Sequence, residues 1–385
     1  MIGSIKNKVL FDPVILGYCI LIFATIFNAN KYHAAIKYIF PALGLGIIFL
    51  FLKLSFERDK LLDYIPILLI CISTALSTLY SDVVGWTMIV TSFMIFAGLY
   101  VLLTIRNFSA DQIQTILKFY AYFTLILSVL LLMNFLLSHN MVGGRVSISI
   151  LGVRKDENYL SAYLAFGFFY FMASYFWGSQ KKKYVLYSAL IFIAVFMTGS
   201  RGGLVAMLVS VLLMIIKYMF FQRIRLRTFL LMIGIAVGIV VIYLFLKETP
   251  LFSRMSDSEG YTENIRLVIW GYAMEGFYRR PWIGSGIQAG TFFAQQHVRW
   301  FTHSCYVDLI TSVGLIGAAL YVWQYVKFCR VKHENLLFIL SLTAVLFVPL
   351  MFVNGLETLT FWMPMSICKI ISDFCKENEF NEILA

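Results

Sequence analysis

The sequence predicts an all-α polytopic membrane protein with about twelve transmembrane helices and a large outward loop between helices nine and ten. Composition is the first indication, because 61% of the residues are hydrophobic, only 13% are charged and the mean hydropathy is +0.83. Soluble domains carry about 25% charged residues. The second indication is a series of apolar runs near the length of about 20 residues that a helix needs to cross the hydrocarbon core.

The apolar runs are continuous, unlike the alternating strands of a membrane barrel. YLAFGFFYFMASYFW, at residues 163–177, is an example. The runs are centred near Leu21, Leu43, Leu68, Met94, Leu127, Phe168, Phe192, Leu208, Ile235, Leu315, Leu342 and Met363.

Lysine and arginine in the short loops predict the orientation. The first run, at residues 11–29, follows Lys6 and Lys8 without a cleavage pattern, so we expect a retained first helix. Two loops predicted on the opposite side from the N-terminus, LYSDVVG and FVNGLE, carry no positive charge. Lys31 and Lys37, after the first run, do not follow this charge bias. Both termini are therefore predicted to be cytoplasmic. The inner loops would hold Lys53, Arg58, Lys60, Arg106, Lys181, Lys182, Lys183, Lys217, Arg223, Arg225, Arg227, Lys327, Arg330 and Lys332.

The net charge of +11 is mostly a consequence of this topology and fits contact with anionic lipid head groups. Basic residues spread over several loops do not form a nucleic-acid footprint. The six cysteines show no paired spacing, so we expect neither a disulfide nor a zinc site.

The segment at residues 247–302 is much longer than a simple connection and is predicted to be an outward-facing, lid-like loop on a single membrane domain spanning residues 1–385. Within it, IRLVIWGYAMEGFYRR places Ile265, Ile269 and Tyr272 on one helical stripe, which Pro281 ends. This pattern predicts an amphipathic helix at the membrane surface.

Positive residues on the outer side are the candidates for chemistry, because they oppose the orientation bias. Arg201 stands beside Ser200, Gly202 and Gly203 in a turn between two apolar runs, and its planar fork of donors suits a phosphate. A snorkelling arginine at the interface is the alternative. The other outer positive residues are Arg145, Arg154, Lys155, Arg254, Arg266, Arg279, Arg280 and Arg299.

Three further residues have both a functional and a structural interpretation. Arg266 lies on the predicted surface helix, where it could bind substrate or simply touch lipid phosphate. His303 lies at the outer end of the tenth run and could accept a proton from a hydroxyl, or be structural. Asp308, deeper in that run, could be functional or bonded to a serine or tyrosine of a neighbouring helix.

The sequence has no motif that indicates another class of chemistry. The sequence contains no Walker loop, G-x-S-x-G elbow, H-E-x-x-H helix or Asp-x-Asp pair. We therefore expect neither a metal ion nor a cofactor.

The motifs TGSRGGLVAMLVSVLL, IRLVIWGYAMEGFYRRPWIGSGIQAGTF and HSCYVDLITSVGLIGAALYVW, in this order, resemble the O-antigen ligase and polymerase superfamily. The resemblance is specific across about residues 150–325 and implies a GT-C-like fold with about twelve helices. The family often has asparagine after the histidine, where this chain has Ser304, so the orientation of His303 is left open.

The resemblance implies glycosyl transfer from a polyprenyl diphosphate-linked glycan on the outer face of the bacterial inner membrane. Arg201 and Arg266 would then hold the departing diphosphate, and His303 would act as the base. It implies membrane lipids, the undecaprenyl-diphosphate-linked donor and acceptor, and a chain-length regulator protein as partners. The further substrate-binding residues would be Ser200, Gly202, Gly203, Asn158, Arg154 and Arg280.

Three functions remain open from the sequence. A repeat-unit polymerase making O-antigen or capsular polysaccharide is favoured. A ligase that transfers the glycan to the lipid A core is the first alternative. A flippase for lipid-linked oligosaccharides is the second, although such carriers often show internal repeats and their cations would lie deeper.

Overall fold

The computed structural model of the protein describes residues 12–26, 34–52, 62–81, 86–138, 145–151, 153–221, 261–353, 356 and 358–384. These residues are mostly helical, as predicted for a polytopic membrane protein. Four stretches among them are long and apolar enough to cross a membrane: Ala110–Leu137, Glu157–Trp177, Cys305–Phe328 and His333–Phe352. Shorter apolar helices cover Pro13–Thr25, Ile39–Phe51, Ile65–Leu79 and Phe93–Thr104.

The number of twelve spans stays a prediction, as do the inner membrane and the orientation of the termini. The predicted ninth run near Ile235, Arg254 and the first part of the 247–302 loop lie outside the described residues.

We number the described helices in chain order. They are α1 Pro13–Thr25, α2 Ala34–Phe51, α3 Ile65–Leu79, α4 Trp86–Thr104, α5 Ala110–Ser138, α6 Glu157–Trp177, α7 Lys182–Met197, α8 Arg201–Phe221, α9 Tyr261–Ala273, α10 Glu275–Arg279, α11 Ala289–His297, α12 Cys305–Phe328, α13 His333–Phe347, α14 Leu359–Glu377 and α15 Asn381–Leu384. A 3-10 turn, Val348–Phe352, follows α13, and a small hairpin pairs β1 Ser149–Ile150 with β2 Val153–Arg154.

The chain divides into two compact units. Unit 1 comprises the described parts of Met1–Tyr120, Asn264–Ile339 and Leu350–Ile383. In it α1 packs on α2, α3 on α12 and α4 on α14. Trp362 is fully buried at its centre, with ring centroids 5.5 Å from Phe93 and 5.9 Å from Tyr100. Gln324 donates to the Tyr100 hydroxyl at 2.8 Å, which ties α12 to α4.

An ionic network joins three helices of unit 1 at the predicted cytoplasmic side. Asp63, just before α3, lies 2.9–3.1 Å from the amino groups of Lys327, Lys369 and Lys376. Asp373 also binds Lys369 at 2.6 Å and Lys376 at 2.8 Å. The Lys369 side chain is only 5% exposed, so the two carboxylates compensate for the water that its ammonium group has lost.

Unit 2 comprises the described parts of Ala121–Glu263, Leu340–Pro349 and Leu384–Ala385. In it α6 packs against α7 and α8. Glycine permits the close approach on one side, since a β-carbon on Gly167 would lie 2.9 Å from Cβ of Thr124 in α5. The α6 helix is buried along most of its length, which is consistent with a central position in this unit.

Candidate functional site

Arg201 begins α8, directly after the turn that ends α7. Gly199 has a φ of +62°, and the Ser200 backbone N–H donates to the Thr198 hydroxyl at 3.3 Å. Ser200 is 1% exposed, whereas Arg201 is half-buried. The first backbone N–H groups of a helix have no partner within the helix and attract anions. Arg201 therefore places its own fixed positive charge beside the backbone N–H groups at the start of α8.

Gly203, two residues after Arg201, serves helix packing. A β-carbon on Gly203 would lie 2.8 Å from Cβ of Ser161 in α6, so α6 and α8 approach each other closely at this level. The family resemblance implies that Ser200, Gly202 and Gly203 contact the substrate. At Gly203 the group that approaches is Ser161, in the first turns of the helix that also carries Asn158.

The β-hairpin lies beside the Arg201 turn. The Val146 backbone N–H donates to the Met197 carbonyl at 2.9 Å, which attaches the residues preceding β1 to the last residue of α7. The Glu157 carboxylate accepts a hydrogen bond from the Arg154 guanidinium at 2.5 Å and lies 3.6 Å from the Arg145 guanidinium. Two arginines thus share the carboxylate of Glu157.

Lys155 adds a further cation to this region. Its side chain is 7% exposed, and burial lowers its pKa from the ordinary 10.5 to about 8. Its neighbour Asn158 is 8% exposed in the first turn of α6. The Asp156 side chain caps that helix by accepting from the Asn158 N–H at 2.9 Å.

Arg266 lies on α9 in unit 1. Its guanidinium carbon is 5.5 Å from the centre of the Phe352 ring, a cation–π distance. Trp270 follows four residues later, and residues so spaced are neighbours on one helix face.

The buried face of α9 differs slightly from the predicted stripe. Ile269 and Ala273 are buried and pack on Ala294 of α11, whereas Ile265 is only partly buried. Leu267 and Val268, on the other side of the helix, are 63% and 46% exposed. Two open apolar side chains suit contact with lipid better than contact with water.

His303 occupies a constrained position just before α12. Its φ is +50°, in the left-handed region that non-glycine residues rarely adopt. The preceding Thr302 carbonyl accepts from the Trp270 indole N–H at 2.9 Å. The following Ser304 is the N-cap of α12, and its hydroxyl accepts from the Val307 N–H at 3.4 Å. Ser304 therefore performs capping at the position where the family often has asparagine.

Asp308 is 6% exposed in the first turn of α12. Its carboxylate accepts from the Thr302 hydroxyl at 2.7 Å and from the Thr291 hydroxyl at 3.4 Å. The structural interpretation of Asp308 predicted a serine or tyrosine of a neighbouring helix, whereas these two hydroxyls belong to threonines, one in α11 and one in the segment before α12.

Three further residues of the predicted outer loop, His297, Arg279 and Arg280, contact residues close to them. His297 stacks on Tyr272, with ring centroids 4.2 Å apart, and lies 3.0 Å from Glu275. Arg279 covers the Phe293 ring at 4.6 Å. The backbone carbonyl of Arg280 accepts from Gly284 at 2.8 Å, so Arg280 begins the turn that follows α10.

This turn is inserted into a break in α12. Gly314, with φ +62° and ψ −164°, interrupts the helix, and residues 281–286 occupy the gap. The Ser285 and Gly286 N–H groups donate to the carbonyls of Thr311 and Ser312 at 2.9 and 3.1 Å. In the reverse direction, the carbonyls of Pro281 and Trp282 accept from Leu315 and Ile316 at 2.8 and 3.1 Å. The turn therefore satisfies the backbone groups that the break exposes.

Residues 186–322 match the family model described as O-antigen ligase. The predicted resemblance to the O-antigen ligase and polymerase superfamily is therefore confirmed over this stretch. The O-antigen ligase match begins within α7 and ends within α12, so it contains Arg201, Arg266 and His303, whereas Arg154 and Asn158 precede it. The search of the curated proteins found no match.

The structure places the predicted site residues in two groups. Unit 2 holds Arg154, Asn158, Ser200, Arg201, Gly202 and Gly203, and unit 1 holds Arg266, Arg280 and His303. That one substrate contacts both groups stays a prediction. Among the described residues, no group of three or more His, Cys, Asp or Glu side chains is arranged to hold a metal ion.

Proposed function

We propose that the protein is a glycosyltransferase that polymerises undecaprenyl-diphosphate-linked repeat units into O-antigen or capsular polysaccharide. The reaction takes place on the outer face of the bacterial cytoplasmic membrane. The observation that carries the proposal is the O-antigen ligase match, because it contains the Arg201 turn, the Arg266 helix and the His303 segment.

In the proposed reaction, a hydroxyl of the acceptor sugar attacks the anomeric carbon of the donor glycan. The new bond joins the hydroxyl oxygen to that carbon, and the bond from the carbon to the diphosphate oxygen breaks. The diphosphate leaves with the electron pair, and the hydroxyl proton goes to the His303 imidazole. No metal ion takes part in this scheme.

Arg201 and Arg266 stabilise the charge that grows on the leaving diphosphate. Guanidinium groups already in place act without waiting for solvent to reorganise. The half-buried position of Arg201 at a helix start supports this role. Arg266 is supported by its position one helical turn from Trp270, whose indole holds the residue before His303.

The other proposed substrate-binding residues lie in three parts of the chain. Arg154 and Asn158 belong to the hairpin region that is attached to the end of α7 at Met197. Arg280 begins the turn inserted into α12. Ser200 precedes Arg201, and Gly202 and Gly203 follow it in the first turn of α8, where backbone N–H groups can bind a phosphate.

A ligase is the second candidate, because the matched family is described as O-antigen ligase. A ligase uses the same class of donor but transfers the glycan to the lipid A core. The arginines and the histidine would keep their roles, and only the acceptor would differ.

The test uses purified protein with lipid-linked repeat units extracted from cells of the source strain that lack this protein. A ladder of extended glycans supports the polymerase. Product formation only after addition of lipid A core supports the ligase and contradicts the polymerase. Movement of the lipid-linked unit across a vesicle membrane without bond formation would identify a carrier and overturn both enzyme assignments.

A further inference from the structure

A hydrogen-bonded chain connects the surface helix with the buried carboxylate of Asp308. Trp270 in α9 donates to the Thr302 carbonyl at 2.9 Å, and the Thr302 hydroxyl donates to Asp308 at 2.7 Å. Asp308 also accepts from Thr291 at 3.4 Å. The chain thereby unites α9, α11, α12 and the segment between α11 and α12 in unit 1.

Thr302 is the central member of this chain. It is fully buried, and both its carbonyl and its hydroxyl are engaged, one with α9 and the other with α12. A residue bound at both polar groups has little freedom to rotate. The segment that ends at Thr302 is therefore fixed relative to α12.

The packing around Asp308 leaves little room for adjustment. A β-carbon on Gly290 would lie 3.0 Å from a carboxylate oxygen of Asp308 and 2.7 Å from the Thr311 hydroxyl. The start of α11 is therefore in backbone contact with this part of α12. A displaced Asp308 would have to displace α11 as well.

His303 lies between two immobilised residues. Thr302 precedes it, and Ser304, which is 1% exposed, caps α12 immediately after it. Its own φ of +50° is unfavourable for a side chain with a β-carbon and persists only where the surroundings impose it. The hydrogen-bonded chain supplies such surroundings.

We propose that Thr302 and Asp308 are positioning residues that set the direction of the His303 imidazole toward the acceptor hydroxyl. This inference depends on the proposed function, in which His303 takes the proton of that hydroxyl. A base must lie within about 2.6–3.2 Å of the atom from which it removes the proton. A displacement of about 1 Å can lower the rate about 100-fold.

The variant Thr302→Val tests the chain, because valine keeps the shape of threonine and removes its hydroxyl. We expect kcat for glycan extension to fall about 10- to 100-fold, with KM for the lipid-linked donor unchanged. Thr302→Ser retains a hydroxyl and should restore kcat to within about 3-fold of the wild type. A merely structural role would instead lower accumulation and thermal stability without this separation of kcat from KM.

Thr311→Val is the matched control. Thr311 is equally buried in α12, but its hydroxyl donates to backbone carbonyls of its own helix, those of Val307 at 2.8 Å and Asp308 at 3.1 Å, and not to the Asp308 carboxylate. Its kcat should equal that of the wild type. A kcat for Thr302→Val equal to that for Thr311→Val would overturn the positioning role.

Asp308 provides a second test that separates hydrogen bonding from charge. In Asp308→Asn, one threonine hydroxyl still donates to the amide oxygen and the other can turn to accept from the amide N–H, so most of kcat should remain, whereas Asp308→Leu should lose it. Equal losses in both variants would contradict positioning through hydrogen bonds.

His303→Ala distinguishes failure of this inference from failure of the proposed function. Loss of extension in His303→Ala together with a normal Thr302→Val would overturn only the positioning role. Full extension by His303→Ala would remove the base from the proposed function itself.

Discussion

Gly284 packs directly against the backbone carbonyl of Ser312. A β-carbon on Gly284 would overlap that carbonyl and would lie 2.5 Å from the Val313 nitrogen. The glycine also has a φ of +77°, which side chains with a β-carbon rarely adopt. The turn at residues 281–286 can therefore enter the break in α12 only with glycine at this position.

Gly284→Ala should destabilise the protein strongly, because the turn would be forced away from the carbonyls of Thr311 and Ser312. We expect a loss above about 3 kcal/mol, in the range of severe point mutations. Thermal unfolding in detergent and accumulation in the membrane measure it. Gly271→Ala is the matched control, since nothing lies within 4 Å of its added β-carbon. A Tm for Gly284→Ala equal to that of Gly271→Ala would contradict the inserted turn.

Asp63→Ala should destabilise unit 1, because it leaves Lys369 and Lys376 with the single carboxylate of Asp373 and takes from Lys327 the carboxylate 3.0 Å from its amino group. Removal of one partner from a buried ion pair costs about 3 kcal/mol or more. Asp111→Ala, at an exposed position in the first turn of α5, should cost at most about 1 kcal/mol. Chemical unfolding of both variants measures the difference, and equal costs would refute the structural role of the network.

The same network should resist acid. Burial raises the pKa of Asp63, but hydrogen bonds from Lys369, Lys327 and Lys376 outweigh this effect and hold it well below the ordinary 3.8. A carboxyl with a lowered pKa stabilises the fold above its ordinary pKa and loses this effect as the pH falls through the lowered value. The Tm difference between wild type and Asp63→Asn should therefore persist from pH 7 to about pH 5. A difference that disappears within that range would contradict the network.

Lys155 should make the stability of the protein depend on pH in the alkaline range. Its pKa is about 8 in the folded chain against 10.5 ordinarily, so the unfolded chain binds more protons between these values. Stability therefore rises with pH across that interval. The Tm of the wild type should rise relative to that of Lys155→Met from pH 8 to pH 10. The exposed Lys181, changed to Met, is the control, and a constant difference for Lys155→Met would oppose the effect of burial.

Much of this architecture could be predicted from sequence patterns. The Arg201 turn, the helix that carries Arg266 and the position of His303 at the start of α12 follow from hydrophobic runs, helical spacing and Pro281. These are local signals, because each depends on residues close together in the chain.

Long-range contacts could not be predicted in this way. The break at Gly314 lies inside an apolar run, and nothing nearby indicates that residues 281–286 fill it. The Trp270 to Thr302 bond and the Val146 to Met197 bond likewise join segments that are distant in sequence. The buried stripe of α9 shifted from Tyr272 toward Ala273 because helical spacing defines a face only to within about one residue.

Arg201→Ala tests the central claim most directly. Purified variants would be compared in extension of extracted lipid-linked repeat units, with Arg201→Lys retaining the charge without the planar fork. The account predicts that Arg201→Ala accumulates normally and loses about 100-fold or more in rate, with Arg201→Lys intermediate. Extension by Arg201→Ala at the wild-type rate would contradict the claim that Arg201 stabilises the departing diphosphate.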